Sequence, residues 1–221
     1  MPNRRPRRPR AGSHEHLFDS LVGVVALQGT LLGDGEPCLD TSRPFERVAL
    51  DDRSWVDVCR GWLAGADSLF ETLVATVPWR HRQRWMYDRM VDEPRLTFAY
   101  GTRELPHPVL DDVHAELDRH YETHFGSVFL NYYRDGHDSV AFHRDRDLRH
   151  EGPALIAILT LGGVRPFLLR PHGGGSSVDV RPGSGDLLVM RGRTHCDWEH
   201  GVPKVASCGP RISVSLRVGM R

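Results

Sequence analysis

From residue 127 onward, apolar and polar positions alternate in short runs cut by Gly, Pro and Asp. That period of two predicts strands over 127–134, 138–144, 154–161, 165–170, 177–181, 186–190, 195–201 and 211–218. Upstream the period changes. Asp67-Ser68-Leu69-Phe70-Glu71-Thr72-Leu73-Val74 has helical spacing, with Asp67 as the expected cap. Val109, Leu110, Val113, Leu117 and Tyr121 share one face of a second expected helix over 108–124, with Pro108 at its first turn. Residues 1–42 hold no sustained period and read as a loose basic segment, which leaves one domain over 43–221. Two N-terminal helices followed by about eight strands predict an α+β fold. Its strands are expected to close into a jelly-roll barrel with a ligand pocket at the mouth.

A length of 221 residues is enough for one closed core. No apolar run approaches 18 residues, so no membrane span or membrane partner is expected. The start, Met1-Pro2-Asn3-Arg4-Arg5, has no hydrophobic signal core. Cys38, Cys59, Cys196 and Cys208 form no C-x-x-C pair, which argues against a zinc ribbon and fits a reducing compartment. The expected location is cytoplasmic. The formal net charge of zero hides an asymmetry: residues 1–10 carry five arginines, leaving 24 basic against 29 acidic residues, a net of −5. Such a head either touches phosphate or is simply a solvated terminus.

Two side chains near the middle carry the first chemical signal. In Phe142-His143-Arg144-Asp145, His143 and Asp145 are two apart, so extended backbone points both to one face. His200, in Trp198-Glu199-His200-Gly201, is the leading third ligand. Two His and one carboxylate with open positions suit a non-haem Fe(II) oxygenase. His195 is a rival; five residues before His200, it would face the opposite way in a strand. Zinc at His195, Cys196 and Cys208 is a further rival with poor spacing.

The last expected strand places Arg211, Ser213, Ser215 and Arg217 on one face and Ile212, Val214 and Leu216 on the other. Either the polar face meets solvent, or two arginines sit in a pocket where they need an anion. A small dicarboxylate would satisfy both, because the planar guanidinium grips carboxylates in pairs of bonds.

In this order, His143-x-Asp145, His200 and Arg211-x-Ser213-x-Ser215-x-Arg217 resemble the AlkB-type Fe(II)/2-oxoglutarate dioxygenases. Asn131-Tyr132-Tyr133 resembles the family's Asn-x-Tyr. Pro94-Arg95 followed by Tyr100-Gly101 resembles the nucleotide-recognition segment of its duplex-DNA repair members. The resemblance covers about 75–218. It implies a double-stranded β-helix fold and iron held by His143, Asp145 and His200. It implies 2-oxoglutarate held by Arg211 with Tyr133 at the distal carboxylate, and by Arg217 and Asn131 near the metal. Ser213 stands where the family has Asn, and offers fewer hydrogen-bonding groups to the co-substrate. Asp147 matches an acidic residue near the flipped base. The implied reaction uses O2 to dealkylate N-alkylated bases, in DNA or RNA, releasing formaldehyde, succinate and CO2.

Trp79-Arg80-His81-Arg82-Gln83-Arg84-Trp85-Met86-Tyr87 interleaves rings with arginines. The family places its substrate lid here, which gives an expected lid over 79–104. Trp85, Tyr87 and Tyr100 are expected to stack on bases, and Arg82 and Arg84 to meet phosphate. The alternative is a helix-to-strand connection with packed tryptophans and solvated arginines. Gln28, Thr30, Leu31 and Leu32 resemble the short peptides that bind bacterial sliding clamps, a second expected partner for an otherwise monomeric chain. Two other functions stay open: a related dioxygenase acting on a protein or small molecule, and a non-catalytic barrel that binds nucleic acid.

Overall fold

A computed structural model describes residues 35–86, 88–101, 104–145 and 154–218. Among the described residues strands come first, where helices were expected first. β1 (Cys38–Leu39), β2 (Phe45–Ala49), β3 (Ser54–Cys59) and β4 (Leu63–Ala64) precede helix α1 (Ala66–Thr76). A hairpin of β5 (Arg80–Met86) and β6 (Arg89–Ala99) follows, then helix α2 (Val109–Tyr121). The remainder is β7 (Phe125–Tyr133), β8 (Val140–His143), β9 (Ile156–Gly162), β10 (Leu168–Pro171), β11 (Val178–Asp179), β12 (Leu187–Gly192), the helical turn α3 (Thr194–Asp197), β13 (Trp198–Val202) and β14 (Arg211–Val218).

The eight strands expected after residue 127 match β7–β14 one for one. Those upstream were missed because β1 and β4 are only two residues long and the others show no clean alternation, so cross-strand pairing defines them. Cys38 and Leu39 pair with Ala64 and Leu63, so the stretch read as loose through residue 42 contributes a strand to the domain.

Besides the β1–β4 pair, the strands form two larger sheets, the two layers of the expected jelly roll, open where a closed barrel was expected. One has the order β2-β3-β12-β9-β14-β7-β6-β5, the other β11-β10-β13-β8, and every pairing is antiparallel. Val56, Ile158, Leu188 and Tyr133 of the large sheet pack on Phe167, Leu169, Trp198 and Val202 at the small one. The other face of the large sheet is covered by α1 and α2 through Leu69, Leu73, Val113 and Leu117. Layers so arranged bury an apolar face on each side of the central strands. β14 lies between β9 and β7, and both of its faces are shielded.

Local chemistry explains the helix ends. Gly65, at φ 64°, precedes α1, and a Cβ there would lie 2.5 Å from the Gly35 carbonyl oxygen. Glycine is needed for that turn. Asp67 is therefore not the cap. It sits in the first turn, where its charge suits the helix dipole, and accepts a hydrogen bond from Ser184 Oγ at 2.9 Å. Pro108 does precede α2, where a missing N–H costs nothing.

Candidate active site

His143 on β8 and His200 on β13 are direct cross-strand partners, so their side chains project from the same face of the small sheet. Asp145 follows two residues later, beyond the end of β8. The three offer ligand atoms within 4.8 Å of one another, the one such group among the described residues. His143 Nδ1 lies 3.0 Å from the Ala141 carbonyl oxygen. A carbonyl only accepts, so that nitrogen carries the proton and Nε2 keeps its lone pair for a metal. Burial pushes His200 down to about 4, so its imidazole is neutral near pH 7. Asp145 accepts from Arg217 through Oδ1 at 2.7 Å, while its Oδ2 is buried with no partner. A buried carboxylate oxygen without a donor fits a cation. The donor set of two imidazoles and one carboxylate suits Fe(II).

His195 is not a ligand of this group. It lies in α3 where a strand was expected, with Nε2 3.2 Å from Cys196 Sγ. Cys208 donates to the Val164 carbonyl oxygen at 3.3 Å, away from that pair. The zinc alternative therefore has no geometry.

Beside the metal group, β7 and β14 build one wall by register. Tyr133 pairs with Arg211, Asn131 with Ser213 and Phe129 with Ser215. The polar face of β14 thus turns inward, against the solvent-facing alternative. Arg211 is 0% exposed, and one NH2 bond of 3.2 Å to Thr160 Oγ1 is its side chain's hydrogen bond. Its Nε and NH1 are buried with no partner. Burial pulls its pKa down to about 10. Tyr133, itself raised by burial, presents its ring 6.0 Å from this guanidinium and 5.9 Å from that of Arg165. Arg165 is held by the carbonyl oxygens of Asp135, Asp138 and Pro203. A buried guanidinium with two unused donors calls for an anion, and 2-oxoglutarate's distal carboxylate fits that need.

Asn131, Tyr133, Ser213 and Arg217 line the same cavity as His143, Asp145 and His200. Arg217 was expected at the co-substrate's metal-proximal end; its fork is also engaged with Asp145. Phe129, Ser215, Phe167 and Arg95 line the cavity as well. The first two were within reach of the period-two pattern, since they alternate with Asn131 and Ser213. Phe167 carried no signal.

The lid residues divide. β5 and β6 form a hairpin with Asp88, at φ 59°, near its tip. Trp85 is 65% exposed and faces Met90, itself 52% exposed, across the ladder. Arg82 lies over the Phe129 ring at 5.4 Å, and Arg84 of β5 pairs with Val91 of β6. Trp79 packs partly buried against Tyr132 at 5.1 Å. Tyr100 is corrected: it is 7% exposed, in the core against Phe98 at 4.8 Å, and is no stacking surface. Tyr87, Asp147 and Gln28, Thr30, Leu31 and Leu32 lie outside the described residues.

Residues 99–217 match the family model of the 2OG-Fe(II) oxygenase superfamily. The chain is 35% identical to a Bos taurus protein named alpha-ketoglutarate-dependent dioxygenase alkB homolog 3, covering 96% of this chain and 84% of the relative. Its Mus musculus namesake is 33% identical over 70% of this chain and 62% of its own length. The Arabidopsis thaliana protein named DNA oxidative demethylase ALKBH2 is 31% identical, covering 68% of this chain and 61% of its own. Among solved structures, OsALKBH1 superposes with a TM-score of 0.57 at 13% identity, over 80% of this chain and 100% of that one. A prolyl hydroxylase from Trichoplax adhaerens gives 0.55 at 12%, over 73% and 82%. At such identities these two speak for the fold alone.

Proposed function

Because the chain belongs to the 2OG-Fe(II) oxygenase superfamily, and within it to the AlkB-type dioxygenases, we propose that it removes N-linked alkyl groups from nucleic-acid bases, with DNA as its main substrate. Its cofactor is Fe(II), and its co-substrates are 2-oxoglutarate and O2. Bound together, these supply oxidation of the alkyl carbon with decarboxylation of 2-oxoglutarate to succinate. The observation that carries the reading is the placement of the His143, Asp145 and His200 group on the same cavity as the β7–β14 wall that ends at Arg211.

Each residue has a distinct task in this reading. His143, Asp145 and His200 hold the metal on one side and leave its other side open. Arg211 and Tyr133 take the distal carboxylate of 2-oxoglutarate. Asn131 serves its metal-proximal end, Ser213 borders it across the β7–β14 pair, and Arg217 holds Asp145 in place beside it. Ile156, Ile158 and Phe167 keep the cavity wall apolar, which limits water around the reacting carbon. The relatives' names support a nucleic-acid substrate. So does the hairpin, which exposes Trp85 and Met90 and lays Arg82 over Phe129, a residue of the cavity wall. A base must leave its stack to enter such a pocket, and exposed rings compensate for the lost stacking.

The test is anaerobic loading with Fe(II) and 2-oxoglutarate, then admission of O2 with methylated oligonucleotides. Formaldehyde release matched to succinate supports the reading. Succinate formed with every nucleic acid left unchanged would favour a protein or small-molecule hydroxylase.

A further inference from the structure

The β5–β6 hairpin leaves the large sheet at a bulge. At Leu96, β6 still pairs with His81 of β5 and Tyr132 of β7. The next β5 pair is Gln83 with Asp92, so β6 carries two more residues than β5 across this step. They fall within Glu93-Pro94-Arg95. Pro94 has no N–H to give a ladder, which is why a bulge accommodates it. Its carbonyl oxygen accepts from Ser139 N–H at 2.7 Å, just before β8.

Bulges re-aim side chains beside active sites. This one turns Arg95 onto the cavity wall, where its Nε donates to Asn131 Oδ1 at 2.8 Å. Its NH2 lies 3.1 Å from Glu93 Oε2, with the two side chains 15% and 16% exposed. An amide has one oxygen and two N–H donors. With Oδ1 engaged by Arg95, Asn131 offers its Nδ2 donors to the cavity, the orientation an anionic ligand requires. Arg82, from the other hairpin strand, sits over Phe129, two residues before Asn131. The hairpin thus grips alternate residues of β7.

We propose that Arg95 is a positioning residue that registers the hairpin against Asn131, so that 2-oxoglutarate binding and seating of nucleic acid under the hairpin reinforce each other. The inference rests on the reading of Asn131 as a co-substrate contact and of the hairpin as the substrate lid. A co-substrate oxygen bound to Nδ2 fixes the amide, and the fixed amide holds the base of the hairpin through Arg95. Linkage makes the effect reciprocal: each ligand tightens the other by the same factor.

The test uses the full chain with Mn(II) in place of Fe(II), which prevents turnover. 2-Oxoglutarate affinity is measured with and without a methylated single-stranded oligonucleotide. In wild type the oligonucleotide should tighten 2-oxoglutarate about fivefold or more. In Arg95→Ala that ratio should fall close to one, whatever the absolute affinities. Hydrogen exchange in 80–92 should slow on adding 2-oxoglutarate to wild type and not respond in Arg95→Ala. Glu93→Gln weakens the Arg95 anchor without emptying the site, and should give an intermediate ratio even if Arg95→Ala does not fold. A wild-type ratio of one, or an undiminished ratio in the variants, overturns the coupling. Failure of wild type to bind 2-oxoglutarate at all is a separate result, which overturns the reading beneath it and the coupling too.

Discussion

His143 and His200 face each other across the β8–β13 ladder with ring centroids 4.3 Å apart. Two distant stretches of chain thereby put imidazoles on one surface, and Asp145 adds a carboxylate with one oxygen left over. Asp145→Asn keeps an acceptor for Arg217 but removes the charge. It should abolish Fe(II) binding and turnover while the far-ultraviolet circular dichroism stays unchanged. His195→Ala should retain the metal. Titration of apoprotein with Fe(II) under nitrogen reads both, and metal retained by Asp145→Asn would move the centre elsewhere.

Arg211→Lys keeps the charge but loses the two donors that now lack partners. A charge-assisted hydrogen bond contributes about 1.5–3 kcal/mol, so KM for 2-oxoglutarate should rise roughly tenfold or more. Arg217→Lys should differ in kind. Its bond to Asp145 is lost too, so Fe(II) affinity should fall along with co-substrate affinity. Comparing the two variants in metal titrations separates these roles.

Acid should unfold the protein partly through Asp138. Burial pushes its carboxyl up, but Arg134, through side-chain and backbone hydrogen bonds, and the nearby Arg165 pull it below the ordinary value. A folded pKa below the unfolded one means stability that is complete above the unfolded value and lost as pH falls through the folded value. Asp138→Asn should therefore cost about 1–2 kcal/mol at pH 7. The difference from wild type should shrink as the pH is lowered from 7 to well below the ordinary carboxylate range. Urea unfolding at both pH values checks this.

The hairpin should govern substrate and spare the metal. Arg82→Glu with Arg84→Glu should reduce demethylation of an oligonucleotide and flatten its salt dependence by about 0.7–0.9 per lost phosphate contact. Substrate-free succinate formation should continue. Trp85→Ala should lower demethylation with little change in salt slope. Tyr100→Ala should act differently, lowering stability by about 3 kcal/mol, because Tyr100 packs in the core. Normal demethylation by the double arginine variant would return those residues to a solvated edge.

What could be read from the sequence followed from local period. β7–β14 are short alternating or wholly apolar runs between turn residues, α1 and α2 repeat every three to four residues, and His143-x-Asp145 shares a face by the period of two. β2, β5 and β6 escaped because charged residues interrupt them, and β3 because it is buried along nearly its whole length; cross-strand pairing defines all four. His200 was preferred to His195 because an odd spacing of five turns a strand side chain to the other face, and the family resemblance agreed, but its geometry rests on a pairing no spacing encodes. Arg217 with Asp145, and Arg95 with Asn131, join residues 72 and 36 apart. Such contacts have no periodic signature. They arise where β14 and the β6 bulge happen to pass the cavity.

The unpaired donors of Arg211 bear on how long the protein survives. Without a bound carboxylate, a fully buried cation sits in the large sheet with two of its three nitrogens lacking a hydrogen-bond partner. The folded chain then carries an uncompensated desolvation penalty that the unfolded chain does not. A dicarboxylate that binds only the folded state adds about 2.7 kcal/mol at a hundred times its Kd. The co-substrate is in this sense a structural part that is consumed at every turnover. Protein starved of it should melt at lower temperature and be cleaved faster by proteases, and succinate, which keeps a carboxylate for Arg211, should protect it in part. The lifetime of the protein in a cell would then follow the supply of one small acid.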